Sequence, residues 1–178
     1  LNEGQFVERK YQRPTGYSAV TRVHTGRLCM PVLNDSGATC SCITEEQFVI
    51  IMNHTFKMLE GGTMSTEAYN YPIAKIIRYG TAAELKGAEK SGTMKVEYAV
   101  VLRIEFIPEG QEQGPVKEIY FKVFKKGTCG IVGAVFGWPT LDFPQDPTGE
   151  GLGWRAHHSG FEYTSLNVIL PRLDDARK

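Results

Sequence analysis

The sequence predicts an all-β domain, a small closed β-barrel with one or two short helices attached. Three observations carry that prediction. Apolar residues alternate at strand spacing from Tyr17 to Leu173, the alternating segments are separated by Gly- and Pro-bearing turns, and one segment, Thr44 to Leu59, switches to helical period. The 178 residues fit a single domain, and 42% apolar with 22% charged residues allows a sizeable core and argues against wholesale disorder.

Residues 1–16 are polar and read as a flexible lead-in or linker, 17–174 as the folded domain, and 175–178 as a charged tail. The first strands come from Val20, Val23, Leu28, Met30, Val32 and Leu33, broken by a turn at Thr25-Gly26. Thr44 suits a helix N-cap and Gln47, three residues on, completes a capping box. Phe48, Ile51, Met52, Phe56 and Leu59 then share one helix face, which Gly61-Gly62 ends. Ile73 to Tyr79 reads as a short strand and Lys95 to Ile107 as a longer one. Pro108 to Pro115 is a loop by composition and Lys117 to Phe124 a further strand. Strand, turn, strand at this spacing predicts a hairpin meander that closes on itself. Ile131 to Asp142 forms a strand that breaks at Gly137 into a short helix with Pro139 in its first turn. Phe143 to Gly153 is a loop, and Trp154 to Leu173 holds two or three short final strands.

Lys plus Arg and Asp plus Glu each number 20, so the chain carries no formal net charge, which argues against nucleic acid or an anionic membrane as the main partner. No apolar run approaches the ~18–20 residues of a membrane-spanning helix. The chain begins at Leu1 rather than Met, as expected of a segment cut from something longer, and with no signal peptide visible it is expected to be intracellular and cytoplasmic. Cysteines at 29, 40, 42 and 129 have neither zinc-knuckle nor redox-pair spacing, and His24, His54, His157 and His158 lie at no ligand-like distance from them. The cysteines are therefore expected to be small, mostly buried residues in a reducing compartment, and no metal or cofactor is expected.

Asp35-Ser36-Gly37, followed by Ala38, is the tripeptide turn with the strongest chemical content. Asp bonds its own downstream backbone and Gly accepts positive φ, so Asp-Ser-Gly makes a turn in any protein. Here, though, an apolar strand, Met30 to Leu33, runs straight into it, and Ala38, Thr39, Cys40, Cys42 and Ile43 run out. About a hundred residues downstream, Val135-Phe136-Gly137 and then Leu141 form the second feature, which alone reads as a buried strand ending at glycine.

Together the two features resemble the retropepsin family, the aspartic peptidases of retroviruses, LTR retrotransposons and their domesticated descendants. Val32-Leu33-Asn34-Asp35-Ser36-Gly37-Ala38 is similar to that family's active-site motif, and Val135-Phe136-Gly137 through Leu141 to its later apolar-apolar-Gly motif, in the same order. The resemblance spans roughly Gly26 to Leu173. Asn34 stands where the family commonly has an apolar residue, the helix is longer than in a minimal retroviral enzyme, and the segment from Gly80 to Gly92 lacks a Gly-rich tip.

The resemblance implies an aspartic endopeptidase with Asp35 as its catalytic carboxyl group. It places Ser36 in a hydrogen bond across a dimer, Gly37 where backbone nears a catalytic water, and Ala38 and Thr39 along a groove for an extended polypeptide. Val135, Phe136 and Gly137 support the turn. A hairpin flap with Gly80, Thr81, Ala82, Ala83, Gly87 and Gly92 closes over the substrate. The chemistry needs two carboxyl groups about 3 Å apart sharing one proton, one activating water and one protonating the carbonyl oxygen. The chain has one Asp-Ser-Gly and is too short for a two-lobed enzyme, so a symmetric homodimer must supply the second, with the strand from Asn167 to Leu173 contributing to its sheet.

Other residues have plainer readings. His157-His158 precedes Ser159-Gly160 and fits a hairpin turn, Cys40 and Cys129 lie in no peptidase signature, and Asp142 follows the short helix on the surface. Trp138 and Trp154 fit core or interface, and Asn53-His54-Thr55 falls within a helix rather than on a glycosylated loop. Two rival readings stand beside the peptidase: a non-catalytic retropepsin-like dimerisation or peptide-binding module, and an unrelated β domain in which Asp-Ser-Gly is accidental.

Overall fold

A computed structural model describes residues 20–86, 93–125, 133–142 and 151–173. The expected lead-in and tail, Cys129, and the flap residues Gly87 and Gly92 lie outside the described residues, as does most of the loop that begins at Phe143.

Among the described residues, ten strands and two helices follow one another as β1 (Val20–Thr25), β2 (Leu28–Asn34), β3 (Cys42–Thr44), α1 (Glu45–Glu60), β4 (Ile73–Lys86), β5 (Thr93–Glu105), β6 (Val116–Phe124), β7 (Ala134–Phe136), α2 (Trp138–Leu141), β8 (Arg155–His157), β9 (Gly160–Tyr163) and β10 (Val168–Leu170). The larger sheet runs β1-β2-β7-β3-β6-β5-β4, and β1 also pairs with β5 through His24 and Glu105. That last pairing joins the ends of a six-stranded run, so the all-β closed barrel is present, with β4 attached outside it. A separate antiparallel sheet, β10-β9-β8, is tied to β1 by a bridge between Thr21 and Arg172.

The barrel is not the plain meander that strand spacing predicts. β2 pairs in parallel with β7 and β3 in parallel with β6, and β7 sits between β2 and β3. Within this sheet the sequence neighbours that pair antiparallel are the β1–β2 hairpin and the run β4–β5–β6. The first hairpin turns one residue later than expected, at Gly26-Arg27, with φ of +55° and +67°. Two left-handed residues form the tight connection whose twist matches the flanking strands. Gly26 also has no room for a side chain, because a Cβ would lie 2.7 Å from the Pro72 ring.

Helix α1 forms as its sequence predicts, with two corrections. Thr44 caps it by accepting the Gln47 amide proton at 3.1 Å, but the Thr44 N–H donates to the Gly133 carbonyl at 2.8 Å, so the reciprocal half of the capping box is not made. Phe56 is 47% exposed, and Thr55 takes its expected place inside, donating to the Ile51 carbonyl. At 3.6 residues per turn, Thr55 falls nearly over Phe48, whereas Phe56 is rotated by about 80°. The buried face, Phe48 and Ile51, covers one side of the barrel core, whose fully enclosed side chains include Met30, Ile43, Phe106, Phe121, Phe136 and Tyr163.

Two further expectations change. β4 does not stop at Tyr79 but continues to Lys86 opposite Thr93, with slipped pairing between Arg78 and Ala83. Of the described cysteines only Cys42 is buried; Cys29 is exposed and Cys40 half-buried.

Candidate active site

β2 and β7 end side by side. Leu33 pairs with Val135 and Asn34 with Phe136, so the two sequence features that lie a hundred residues apart meet in adjacent parallel strands. From Asn34 the chain leaves β2, arches over the end of β7 and enters β3 on its far side. The arch is Asp35 to Ser41.

Its geometry is set mostly by backbone. The Asp35 N–H donates to the Phe136 carbonyl at 2.9 Å and the Ala38 N–H to the Asp35 carbonyl at 3.0 Å, closing a tight turn. The Gly37 N–H donates to Asp35 Oδ1 at 3.0 Å, the side-chain-to-backbone bond that Asp makes in such turns. On the other side, the Trp138 N–H donates to the Ala38 carbonyl at 2.9 Å, binding the arch to the start of α2. Asp35, Gly37 and Thr39 are exposed, and Ser36, Ala38 and Cys40 half-buried.

Gly137 sits where the arch crosses β7. A Cβ there would lie 2.4 Å from the Cys40 carbonyl oxygen and 2.9 Å from that of Ala38, both backbone atoms that cannot swing away. The buried Gly137 N–H donates to Ser41 Oγ at 3.0 Å, and Ser41 Oγ is also hydrogen-bonded to Thr140 Oγ1. Ser41 and Thr140 were not singled out by any sequence pattern. They pair across 99 residues, and no local period marks a serine between two cysteines.

Beneath the turn, Phe136 packs against Phe106 and Phe121 at centroid distances of 6.1 and 5.9 Å. Beside it a small apolar cluster of Cys42, Val96, Phe124 and Val135 is joined by Leu33, Ala38 and Tyr79. Tyr79 on β4 and Tyr120 on β6 share a hydroxyl–hydroxyl hydrogen bond, and burial, with that bond, pushes the Tyr79 phenol above its usual range. Burial likewise raises the Cys40 thiol, partly opposed by Lys122 and by a hydrogen bond with Thr39, which leaves it a poor nucleophile.

The expected site residues thus divide. Asp35 to Thr39 and Val135 to Gly137 come together. The flap residues Gly80, Thr81, Ala82 and Ala83 lie within the outer strand β4 rather than in a loop beyond it, because the pairing with β5 runs further than the sequence indicates. Asp142 is half-buried and accepts the Trp154 indole N–H at 2.7 Å, and Trp154 stacks on Phe161. His157 ends β8 with His158-Ser159 forming the tight turn to β9, as the hairpin reading expects. Among the described residues, no group of three or more His, Cys, Asp or Glu is placed to hold a metal ion, and no helix is long and apolar enough to cross a membrane.

No protein-family model matches the chain, and no curated protein matches it. Among solved structures, the retroviral protease-like domain of Ddi1 from Leishmania major aligns over 86% of this chain and 93% of that one, at 11% identity and a TM-score of 0.46. At that level the likeness is one of general shape and says nothing about activity.

Proposed function

We propose that the chain is an aspartic endopeptidase of retropepsin type, active as a homodimer in which Asp35 of each subunit meets its copy at a two-fold axis. The observation that carries this reading is the exposed Asp35 held on a turn whose backbone is bonded both within itself and to the neighbouring strand end at Phe136. A carboxylate presented in that way is fixed in position yet uncovered in the single chain, the state that a symmetric contact requires. In the dimer one carboxylate takes a proton from water, whose oxygen attacks the scissile carbonyl carbon. The other carboxyl group gives its proton to the carbonyl oxygen, and collapse of the tetrahedral adduct breaks the C–N bond as the amine takes up a proton. An extended polypeptide would bind as an added strand beside the arch and the β4–β5 arm, and the setting that fits is processing of an intracellular retroelement polyprotein.

The test is cleavage of a mixed peptide library between about pH 4 and 7, wild type beside Asp35→Asn, over a range of protein concentrations. Expected is cleavage by the wild type that rises more steeply than linearly with concentration, and a loss of at least ~1,000-fold in the variant with its melting temperature unchanged. Equal cleavage by both proteins removes Asp35 from the mechanism. A folded dimer that cuts nothing moves the binding-module reading to the front.

A further inference from the structure

We infer that Asn34, Thr21 and Tyr163 act together as a positioning group for the Asp35 turn, an inference that rests on the peptidase reading for its catalytic consequence but not for its structural one. Asn34 is the last residue of β2 and the residue bonded to Asp35, and it is 6% exposed. Its side-chain Nδ2 donates to Thr21 Oγ1 at 3.0 Å, and its Oδ1 accepts from the Tyr163 hydroxyl at 2.8 Å. The third side is the 2.8 Å contact between Thr21 Oγ1 and Tyr163 Oη, both fully buried, which leaves the Thr21 proton directed at the Tyr163 oxygen. Each group in this ring donates once and accepts once.

A position that needed only volume is served by a leucine, and three buried polar groups cost stability unless all are satisfied. What a closed ring adds is direction: its bonds polarise one another and hold the amide in a single plane. Because the amide is anchored on the residue preceding Asp35, that plane restrains the peptide from which the turn departs. The same Tyr163 also reaches the other strand end. Its ring packs edge-on against Phe106 at 5.0 Å, and Phe106 packs against Phe136, whose carbonyl receives the Asp35 N–H. One tyrosine of the C-terminal sheet therefore braces both of the strand ends that hold the turn.

Thr21→Val keeps the shape and removes the hydroxyl, whereas Thr21→Ser keeps the hydroxyl and removes a methyl group. Amide hydrogen exchange at Asp35, Ala38 and Trp138, compared with Val100 and Phe121 in the β5–β6 ladder, reads the turn without reference to activity. Expected for Thr21→Val is exchange about tenfold faster at the three turn amides than the ladder amides account for, with kcat down about tenfold and KM within about twofold. Thr21→Ser restores both. Should Thr21→Val fail to fold, Tyr163→Phe carries the same comparison from the other side of the ring. Uniform acceleration at turn and ladder, or a serine variant that behaves like the valine one, overturns the inference and leaves the ring a purely structural tie. A wild type that cleaves nothing overturns the peptidase reading alone, because the exchange comparison still decides what the ring does.

Discussion

Strands β2 and β7 end side by side, pointing the same way, at the paired residues Asn34 and Phe136, and leave the sheet by opposite means. After Asn34 the chain turns outward and exposes a carboxylate. After Phe136 it passes under the arch as a glycine and goes directly into α2. One end is polar in the core and charged at the surface; the other is aromatic in the core and has no side chain at all where it leaves. The first end holds the exposed carboxylate, and the second makes room for its turn and supplies the carbonyl that receives the Asp35 N–H. A site of this kind is specified by what is missing at residue 137 as much as by what is present at residue 35.

That contrast can be broken most severely at Phe136. Truncation to alanine removes a fully buried ring that touches Phe106 and Phe121, and is expected to cost about 3–5 kcal/mol in urea unfolding. A cost below about 1 kcal/mol would mean that the second strand end is not the packed support described here. Gly137→Ala is the next largest. Its methyl group meets two backbone carbonyls, so the arch must move, at about 2–4 kcal/mol, and cleavage should fall with it. Wild-type stability in this variant would show that the crossing is looser than the geometry requires.

Ser41→Ala sharpens the comparison by removing one link between the two ends while leaving both in place. It strands the buried Gly137 N–H and is expected to cost about 1–2 kcal/mol, whereas Ser41→Thr, which keeps the hydroxyl, should keep part of that stability. The smallest effect lies away from both ends, at the barrel seam. Burial holds the His24 imidazole below its ordinary value of 6.5, with Glu105 pulling the other way. A lowered histidine favours its neutral form in the fold, so its contribution is complete above about pH 6.5 and is lost as the pH falls through and below that value. The wild type should therefore lose melting temperature between pH 7 and 5 more steeply than His24→Gln. Identical slopes would assign any acid weakening to the strand ends instead of the seam.

Much of this was legible in the sequence because it is local. Asp-Ser-Gly makes its own turn, Pro139 after Gly137 starts its own helix, and Thr44 caps α1 from within three residues. What was not legible depends on distance or on weak side chains. The parallel pairing of β2 with β7 leaves no periodic trace, since either strand alternates the same way with any neighbour. β4 reads as ending at Tyr79 because Gly80, Thr81, Ala82 and Ala83 offer little alternation, yet after an irregular stretch the pairing with β5 resumes at Ala83 and runs to Lys86. Asn34 reads as a departure from an apolar position until Thr21 and Tyr163, 13 and 129 residues away, supply its partners.

The order in which the strands pair also sets when the protein can work. β4, β5 and β6 are sequence neighbours and can zip together as soon as residue 124 has left the ribosome. The arch finds its Phe136 and Gly137 only after α2 has been made, and Asn34 finds Tyr163 later still. Contacts that close over a hundred residues or more form slowly and late. The growing chain therefore carries Asp35 through most of this domain's synthesis without the surroundings that position it, and any reactivity of that group is deferred until nearly the whole described domain has emerged.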